Sequence, residues 1–156
     1  MVKVGDSIPS VPVTISKPDN KVDLSQELAS GKGVIIGVPA AFSPTCSNSH
    51  VPGWVASHKT GSAGKVYVLS VNDIFVVNAW AKSFEKDNTS KITFVADAGG
   101  DFTGALDLLF DASGLLGNKR AKRFVVTTED GKVTGVHVEP DPSKVTVTDV
   151  EKVLGS

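Results

Sequence analysis

The one cysteine of this sequence, Cys46, is its most chemically distinctive residue. It follows a loop, Pro39-Ala40-Ala41-Phe42-Ser43-Pro44-Thr45, that comes directly after the apolar run Gly33–Val38. A helix is predicted to follow this loop, which places Cys46 in the first turn. Unpaired backbone N–H groups and the positive end of the helix dipole favour a thiolate over a thiol there. Because the thiolate is the reactive form of cysteine, the segment predicts a nucleophilic sulfur.

Each of these residues also has a simpler structural interpretation. A lone cysteine is commonly a small buried hydrophobe. The hydroxyls of Ser43 and Thr45 suit helix capping as well as ligand contact. His50 lies four residues after Cys46, so both project from one helix face. It either lines the active site or serves as a structural imidazole. Phe42 is either a core aromatic or part of a functional surface.

The rest of the chain alternates predicted strands and helices. Apolar, β-branched runs predict strands at Val11–Ser16, Gly33–Val38, Lys65–Val71, Ile92–Ala96, Phe124–Thr128 and Lys132–Val138, the last two joined by an Asp130-Gly131 hairpin turn. Helices are predicted at about Thr45–His58 and Asn72–Glu85, with short ones at Leu24–Ala29 and Thr148–Leu154. Asp73 is the predicted N-cap of the second long helix, and either Thr148 or Asp149 is the predicted N-cap of the last helix. From Gly99 to Asn118, glycines exclude a long helix. The order predicts an α/β fold with a central mixed sheet flanked by helices.

Length and composition limit the possible functions. The 156 residues fit a single domain spanning 1–156. A formal net charge of −1 gives no overall attraction to nucleic acid or to an anionic membrane. No apolar run approaches the roughly 20 residues that cross a bilayer. Met1–Asp6 lacks the apolar core of a secretory signal, and one cysteine excludes an intrachain disulfide. We therefore expect a cytoplasmic protein.

The cysteine segment resembles the peroxiredoxin active site. Pro39-x-x-x-Ser43-x-x-Cys46 is similar to the family motif Pro-x-x-x-Thr/Ser-x-x-Cys, and its continuation through His50-Val51-Pro52-Gly53 resembles the type II (peroxiredoxin-V class) version. Further matches are Val4-Gly5-Asp6-x-Ile8-Pro9, Ser70-Val71-Asn72-Asp73 with Trp80 beyond, Gly117-Asn118-Lys119-Arg120-Ala121-Lys122-Arg123-Phe124 and Val138-Glu139-Pro140-Asp141. Matches in order from residue 4 to residue 141 are far more specific than one short motif.

The resemblance implies a thioredoxin-like fold and a thiol peroxidase that reduces hydrogen peroxide and alkyl hydroperoxides without a cofactor. In this interpretation Cys46 is the peroxidatic nucleophile and Arg123 the cation that stabilises its thiolate. Ser43 would bond the peroxide, and Pro39 would shield the pocket from water. The substrate-binding positions would be Thr45, Phe42 and His50. The basic neighbours of Arg123, namely Lys119, Arg120 and Lys122, are predicted to be solvated surface.

Two departures from the family pattern matter. Ala40 stands where most type II relatives have glycine, and we expect the alanine to be tolerated even if position 40 needs a positive φ. Val68 and Lys144–Thr148 cover the places where plant and animal relatives carry a second cysteine. An oxidised Cys46 would therefore need an external thiol, namely glutathione, glutaredoxin or thioredoxin. The resemblance also implies a possible homodimer, with the aromatic Phe75 and the loop near position 42 at its interface.

Two other functions remain open at this stage. A peroxide sensor or redox relay would use the same cysteine but pass its oxidation to a partner. A non-catalytic interaction module would keep Cys46 as a packing residue. A dithiol oxidoreductase is the weakest alternative, because the sequence has no Cys-x-x-Cys pair.

Overall fold

The computed structural model describes residues 1–85 and 89–155. The strands are β1 (Pro12–Thr14), β2 (Lys21–Asp23), β3 (Lys32–Val38), β4 (Lys65–Ser70), β5 (Thr93–Ala96), β6 (Leu109–Asp111), β7 (Lys119–Ala121), β8 (Phe124–Glu129) and β9 (Lys132–Val138). Seven of them form one sheet in the order β2-β1-β5-β4-β3-β8-β9, while β6 pairs with β7. The strands β3, β4 and β5 run parallel, and β8 runs antiparallel to β3. The predicted mixed sheet is confirmed.

Short helices flank this sheet. They are α1 (Leu24–Glu27), a π-helical turn (Cys46–His50) that continues into α2 (Val51–Ala56), α3 (Ile74–Phe84), α4 (Asp101–Ala105), α5 (Ser113–Leu116) and α6 (Val150–Leu154), with a 3₁₀ turn at Thr60–Ser62. Asp73 accepts a hydrogen bond from the Val76 N–H, and Asp149 accepts one from the Glu151 N–H, so both predicted caps are confirmed. No helix within the described ranges is long and apolar enough to cross a membrane.

The sequence prediction differs from the structure at the short elements and at element ends. The helix after the cysteine loop ends at Ala56 and not at His58, because Ser57 adopts an extended backbone. The strands β2, β6 and β7 were not predicted, since three residues are too few to show alternation. In the glycine-containing stretch, α4 and α5 have five and four residues, which agrees with the expectation that no long helix forms there.

Two hydrophobic clusters pack on the two faces of the sheet. The cluster that we call the cysteine face contains Cys46, the buried tryptophans of α2 and α3, and β-strand residues such as Ile36 and Val125. The cluster that we call the opposite face contains Phe102, Leu106 and Phe124. Because successive strand residues point to opposite faces, neighbouring residues of β8 serve different clusters.

Phe124 requires a glycine on the neighbouring strand. Gly37 of β3 lies directly beside it in the antiparallel register. A Cβ at Gly37 would come within 2.0 Å of the Phe124 ring. The absence of a side chain at Gly37 therefore lets the ring lie flat against the sheet on the opposite face.

The β8–β9 connection has the predicted hairpin form. Glu129 pairs with Lys132, and the two residues between them, Asp130 and Gly131, have φ values of 50° and 83°. Two consecutive left-handed residues define the type I′ turn that matches strand twist. On its other side β8 pairs with β3, which fixes β8 and the residue just before it relative to the centre of the sheet.

Candidate active site

Cys46 lies in the first turn of its helix, as the sequence predicts. The chain leaves β3 through the buried Pro39 and becomes helical at Pro44. Backbone bonding of this helix begins where the Ser47 N–H donates to the Ser43 carbonyl at 2.9 Å. The N–H groups of Thr45 and Cys46, which precede this bond, are therefore available to a ligand or to the sulfur. Cys46 itself is fully buried, in the cysteine face of the core.

The loop before Cys46 is held by a hydrogen bond to the end of β4 and contains one left-handed residue. The Ala41 N–H donates to the Asn72 side-chain oxygen at 3.1 Å, which ties the loop to the end of β4. Its left-handed residue is Phe42, with φ of 65° and a side chain 54% exposed. The departure at Ala40 is therefore accommodated without a positive φ, because the strained position lies two residues later. An exposed aromatic held in such a conformation is a common mark of a functional loop.

Arg123 is the cation nearest to the sulfur. Its side chain is only 1% exposed, and its Nη2 donates to Cys46 Sγ at 3.2 Å. Its Nε donates to the Pro142 carbonyl, and its Nη1 approaches His50 Nδ1, each at 2.9 Å. It precedes Phe124, so strand alternation turns it toward the cysteine face while Phe124 faces the other way.

The charge of Arg123 has no carboxylate partner at close range. Within residues 1–85 and 89–155, no Asp or Glu oxygen lies within 4.0 Å of its guanidinium. Its identified acceptors other than sulfur, the Pro142 carbonyl and His50 Nδ1, are uncharged. A buried cation without a counterion favours the ionised form of an acid beside it. A Cys46 thiolate would supply the missing negative charge.

His50 accepts a hydrogen bond from Arg123 at Nδ1, and this nitrogen must therefore be unprotonated. An arginine only donates, so the ring proton belongs on Nε2. Burial and the Arg123 cation lower the pKa of His50 to about 3, which agrees with a neutral ring. Cys46 and His50 do share one helix face, and both contact the same guanidinium. His50 is only 1% exposed and lies in the Arg123 network, so its role in substrate binding stays a prediction.

The two hydroxyl residues of the loop have different environments. Ser43 is half-buried, and its Oγ donates to the Ala40 carbonyl at 2.7 Å. Its lone pairs remain able to accept a hydrogen bond from a ligand. Thr45 Oγ1 instead donates to the Ser143 carbonyl at 3.0 Å, which joins the cysteine helix to the segment after β9.

The structure adds residues that the sequence prediction did not assign to the site. Arg120, which the sequence predicts to be solvated surface, is only partly exposed. Its guanidinium is half-buried, bonds Asn118 Oδ1 at 2.7 Å and reaches the Pro39 carbonyl at 3.5 Å. The Pro142 and Ser143 carbonyls carry no sequence signal at all, because every residue has a carbonyl. Glu139 was part of a matched motif, but its burial was visible only in the fold.

No group of three or more His, Cys, Asp or Glu side chains is placed to hold a metal ion in the part of the chain that the structure describes. The site geometry thus rests on one sulfur, one guanidinium, one neutral imidazole and the backbone around them.

Comparison with known proteins gives consistent results over nearly the whole chain. The Redoxin family model matches residues 3–154. Peroxisomal membrane associated protein 20 of Schizosaccharomyces pombe is 45% identical over 100% of this chain and 99% of its own. Peroxiredoxin-2C of rice is 36% identical over 98% and 96%. The crystal structure of reduced Prx3 from Vibrio vulnificus has a TM-score of 0.88 at 30% identity, covering 99% of this chain and 97% of that one.

Proposed function

Because this chain belongs to the Redoxin family and is a peroxiredoxin with a thioredoxin-like fold, we propose that Cys46 reduces hydrogen peroxide and alkyl hydroperoxides in a one-cysteine cycle. One observation carries the proposal: the buried Arg123 guanidinium touches Cys46 Sγ at 3.2 Å and has no carboxylate partner within 4.0 Å in the described residues. This arrangement supports a thiolate at the first turn of the helix.

The proposed first step moves two electrons from sulfur to peroxide. The Cys46 thiolate attacks one peroxide oxygen, an S–O bond forms and the O–O bond breaks. The leaving oxygen takes a proton and departs as water or an alcohol, and sulfur becomes a sulfenic acid. Arg123 stabilises the negative charge that moves from sulfur to the leaving oxygen. Ser43 Oγ accepts the O–H of the bound peroxide, and first-turn N–H groups near Thr45 hold its oxygens.

The proposed second step needs a thiol from another molecule. The chain has no other cysteine, and Val68, one of the two places where relatives carry one, is buried in β4. An external thiol attacks the sulfenic sulfur, which releases water and leaves a mixed disulfide. A second thiol then restores the Cys46 thiol and carries away the disulfide. Glutathione, glutathione with glutaredoxin, and thioredoxin are the proposed reductants.

The test measures the second-order rate of Cys46 oxidation by hydrogen peroxide and by tert-butyl hydroperoxide, with sulfenic acid trapped by dimedone. We expect oxidation far faster than that of free cysteine, and none in Cys46→Ser. Steady-state turnover with each reductant system then identifies the cycle. Oxidation no faster than free cysteine would overturn the proposal. Fast oxidation with negligible turnover in every reductant system would favour the sensor or relay function.

We also propose that the chain forms a homodimer. Two exposed aromatic side chains support this, Phe42 at 54% and Phe75 at 69% exposure. They lie on adjoining segments, because the Ala41 N–H bonds the Asn72 side chain near the start of α3. Sedimentation equilibrium of the wild type and of Phe75→Glu tests the proposal. A wild-type monomer at all concentrations would contradict it.

For the cellular location, the cytoplasm is our proposal, supported by a lone cysteine that suits a reducing compartment. The name of the Schizosaccharomyces pombe relative points to the peroxisomal membrane as the alternative. Fractionation of source cells, with antibody detection of the native protein, distinguishes the two.

A further inference from the structure

A buried carboxylate lies beyond the reacting groups of this site. Glu139 follows β9 directly and is 4% exposed. It accepts four hydrogen bonds, from the Thr146 N–H at 2.6 Å and hydroxyl at 2.5 Å, and from the Thr148 N–H at 2.9 Å and hydroxyl at 2.7 Å. Both carboxylate oxygens are thus committed to residues seven and nine positions later. We call the segment that this carboxylate closes, residues 139–148, the clamped loop.

The clamped loop presents backbone carbonyls to the active site. The Pro142 carbonyl accepts from Arg123 Nε at 2.9 Å, and the neighbouring Ser143 carbonyl accepts from Thr45 Oγ1 at 3.0 Å. At the loop's end, the Thr148 carbonyl accepts from the Trp54 indole at 3.1 Å. One loop therefore contacts the guanidinium, the first turn of the cysteine helix and the body of α2.

The bonding pattern also explains why Glu139 does not neutralise Arg123. A carboxylate paired with the guanidinium would compete with the thiolate for it. Here four loop donors occupy the carboxylate, and a neutral carbonyl makes the contact to Arg123 Nε. Burial alone would raise the pKa of Glu139, but the hydrogen bonds from Thr146 and Thr148 outweigh it and the pKa lies below its ordinary value. The group is therefore an anion that its own loop satisfies.

We propose that Glu139 is a positioning residue for the peroxidatic site: it holds the clamped loop in the shape that aims the Pro142 carbonyl at Arg123, which fixes the guanidinium against Cys46 Sγ. The inference rests on the proposed function of Cys46. Its consequence is specific. Loss of the clamp would keep every residue that touches the sulfur, but the positions of those residues would no longer be fixed. A displacement of about 1 Å at a reacting centre costs up to about 100-fold in rate.

The chain offers a matched control on the opposite face. Asp97 is also buried, and its carboxylate accepts from the Phe102 N–H at 3.2 Å, the Thr103 N–H at 2.8 Å and the Thr103 hydroxyl at 2.7 Å. It holds the start of α4 in the same way that Glu139 holds the clamped loop, but α4 does not contact Arg123 or Cys46 through any hydrogen bond in the described residues.

The experiment compares Glu139→Gln with Asp97→Asn. Each removes one carboxylate charge and places an amide against N–H donors. Three quantities are measured: the thermal midpoint, the rate of Cys46 oxidation by hydrogen peroxide, and the pH titration of the thiolate absorbance at 240 nm, for which Cys46 is the one thiol of the chain. We expect both variants to lose thermal stability. Glu139→Gln alone lowers the oxidation rate by about tenfold or more and changes the thiolate titration, whereas Asp97→Asn leaves both as in the wild type.

A second variant protects the test against loss of folding. Thr146→Val removes one of the four bonds at a solvent-exposed residue, so it leaves the core intact. We expect a smaller loss of rate and a smaller change in the titration. Folded Glu139→Gln with wild-type rate and titration would overturn the inference, as would an unaffected Thr146→Val if Glu139→Gln does not fold. Failure of the proposed function is recognised separately, because wild-type Cys46 would then react no faster than free cysteine.

Discussion

The two faces of the sheet are built by the same rules but hold different kinds of core. The opposite face packs aromatic and aliphatic side chains such as Phe102, Leu106 and Phe124. The cysteine face has comparable apolar packing but also buries Arg123 and His50 beside the sulfur. Buried polar groups cost stability unless they are bonded. The difference teaches that the cysteine face carries the cost of burying a charged guanidinium in order to hold a reactive arrangement.

The largest expected effect separates the two neighbours Arg123 and Phe124. Arg123→Gln removes the cation at the sulfur, and we expect the rate of Cys46 oxidation to fall roughly 100- to 1,000-fold. Phe124→Leu removes packing on the opposite face, and we expect a loss of about 1–2 kcal/mol in the free energy of unfolding with an unchanged rate. Peroxide kinetics and chemical denaturation of both variants check the comparison. Equal kinetic effects would contradict a division of roles between the faces.

The next effect concerns the packing of the opposite face alone. Gly37→Ala would place a methyl group within 2.0 Å of the rigid Phe124 ring. We expect a destabilisation of about 3 kcal/mol, the upper range of overpacking costs. Gly61→Ala is the matched control, because nothing lies within 4 Å of its added Cβ. Urea denaturation measures both variants. A Gly37→Ala protein as stable as Gly61→Ala would show that the face is less tightly packed than its contacts indicate.

The third effect is the pH dependence that the cysteine face imposes on stability. The folded chain keeps His50 neutral down to about pH 3, while an unfolded histidine has its ordinary pKa of 6.5. The unfolded state therefore binds a proton first as the pH falls, so this contribution to stability is full above pH 6.5 and is lost progressively toward pH 3. Between pH 7.5 and pH 5 we expect a loss of about 2 kcal/mol.

Two histidine variants isolate that contribution. His50→Gln should show a smaller loss of unfolding free energy between the two pH values than the wild type. His58→Gln should behave as the wild type, because His58 is exposed and lies outside the Arg123 network. Both variants retain every carboxylate of the chain, so the acid groups contribute equally. Denaturant titrations at pH 7.5 and pH 5 give the comparison. An identical loss of unfolding free energy between the two pH values in all three proteins would refute the prediction.

How much of this arrangement the sequence could predict depends on the kind of contact. Gly33–Val38 was predictable because a run of apolar residues suits a strand that is covered on both faces. Cys46 in a first helical turn followed from the proline-bounded loop. Composition could not show which arginine, Arg120 or Arg123, contacts the cysteine, since both belong to one basic run. The distinction came from the resemblance for Arg123 and from the fold for Arg120.

The clamped loop was beyond sequence reasoning for a physical reason. Its contacts to the site are made by the carbonyls of Pro142 and Ser143, and a backbone carbonyl has no residue type. Their placement depends on Glu139 reaching residues up to nine positions later, which no local pattern encodes. The sequence predicted the reacting groups and most of the sheet, and the fold was needed to see what holds those groups in place.

The smallest expected effect tests whether the loop acts on the site from the helix side as well. Thr45→Val removes the bond to the Ser143 carbonyl. Its control is Thr127→Val, which removes a comparable bond of 2.9 Å between the Thr127 and Thr134 hydroxyls. Thr127 lies in β8, four residues after Arg123. Each should cost about 1 kcal/mol of stability. Only Thr45→Val should also slow Cys46 oxidation, and by less than the loss of Glu139, because Arg123 keeps its own contact to Pro142. Peroxide kinetics of the two valine variants decide the matter. A slowed reaction in Thr127→Val would mean that the site responds to general destabilisation and not to the loop that contacts it.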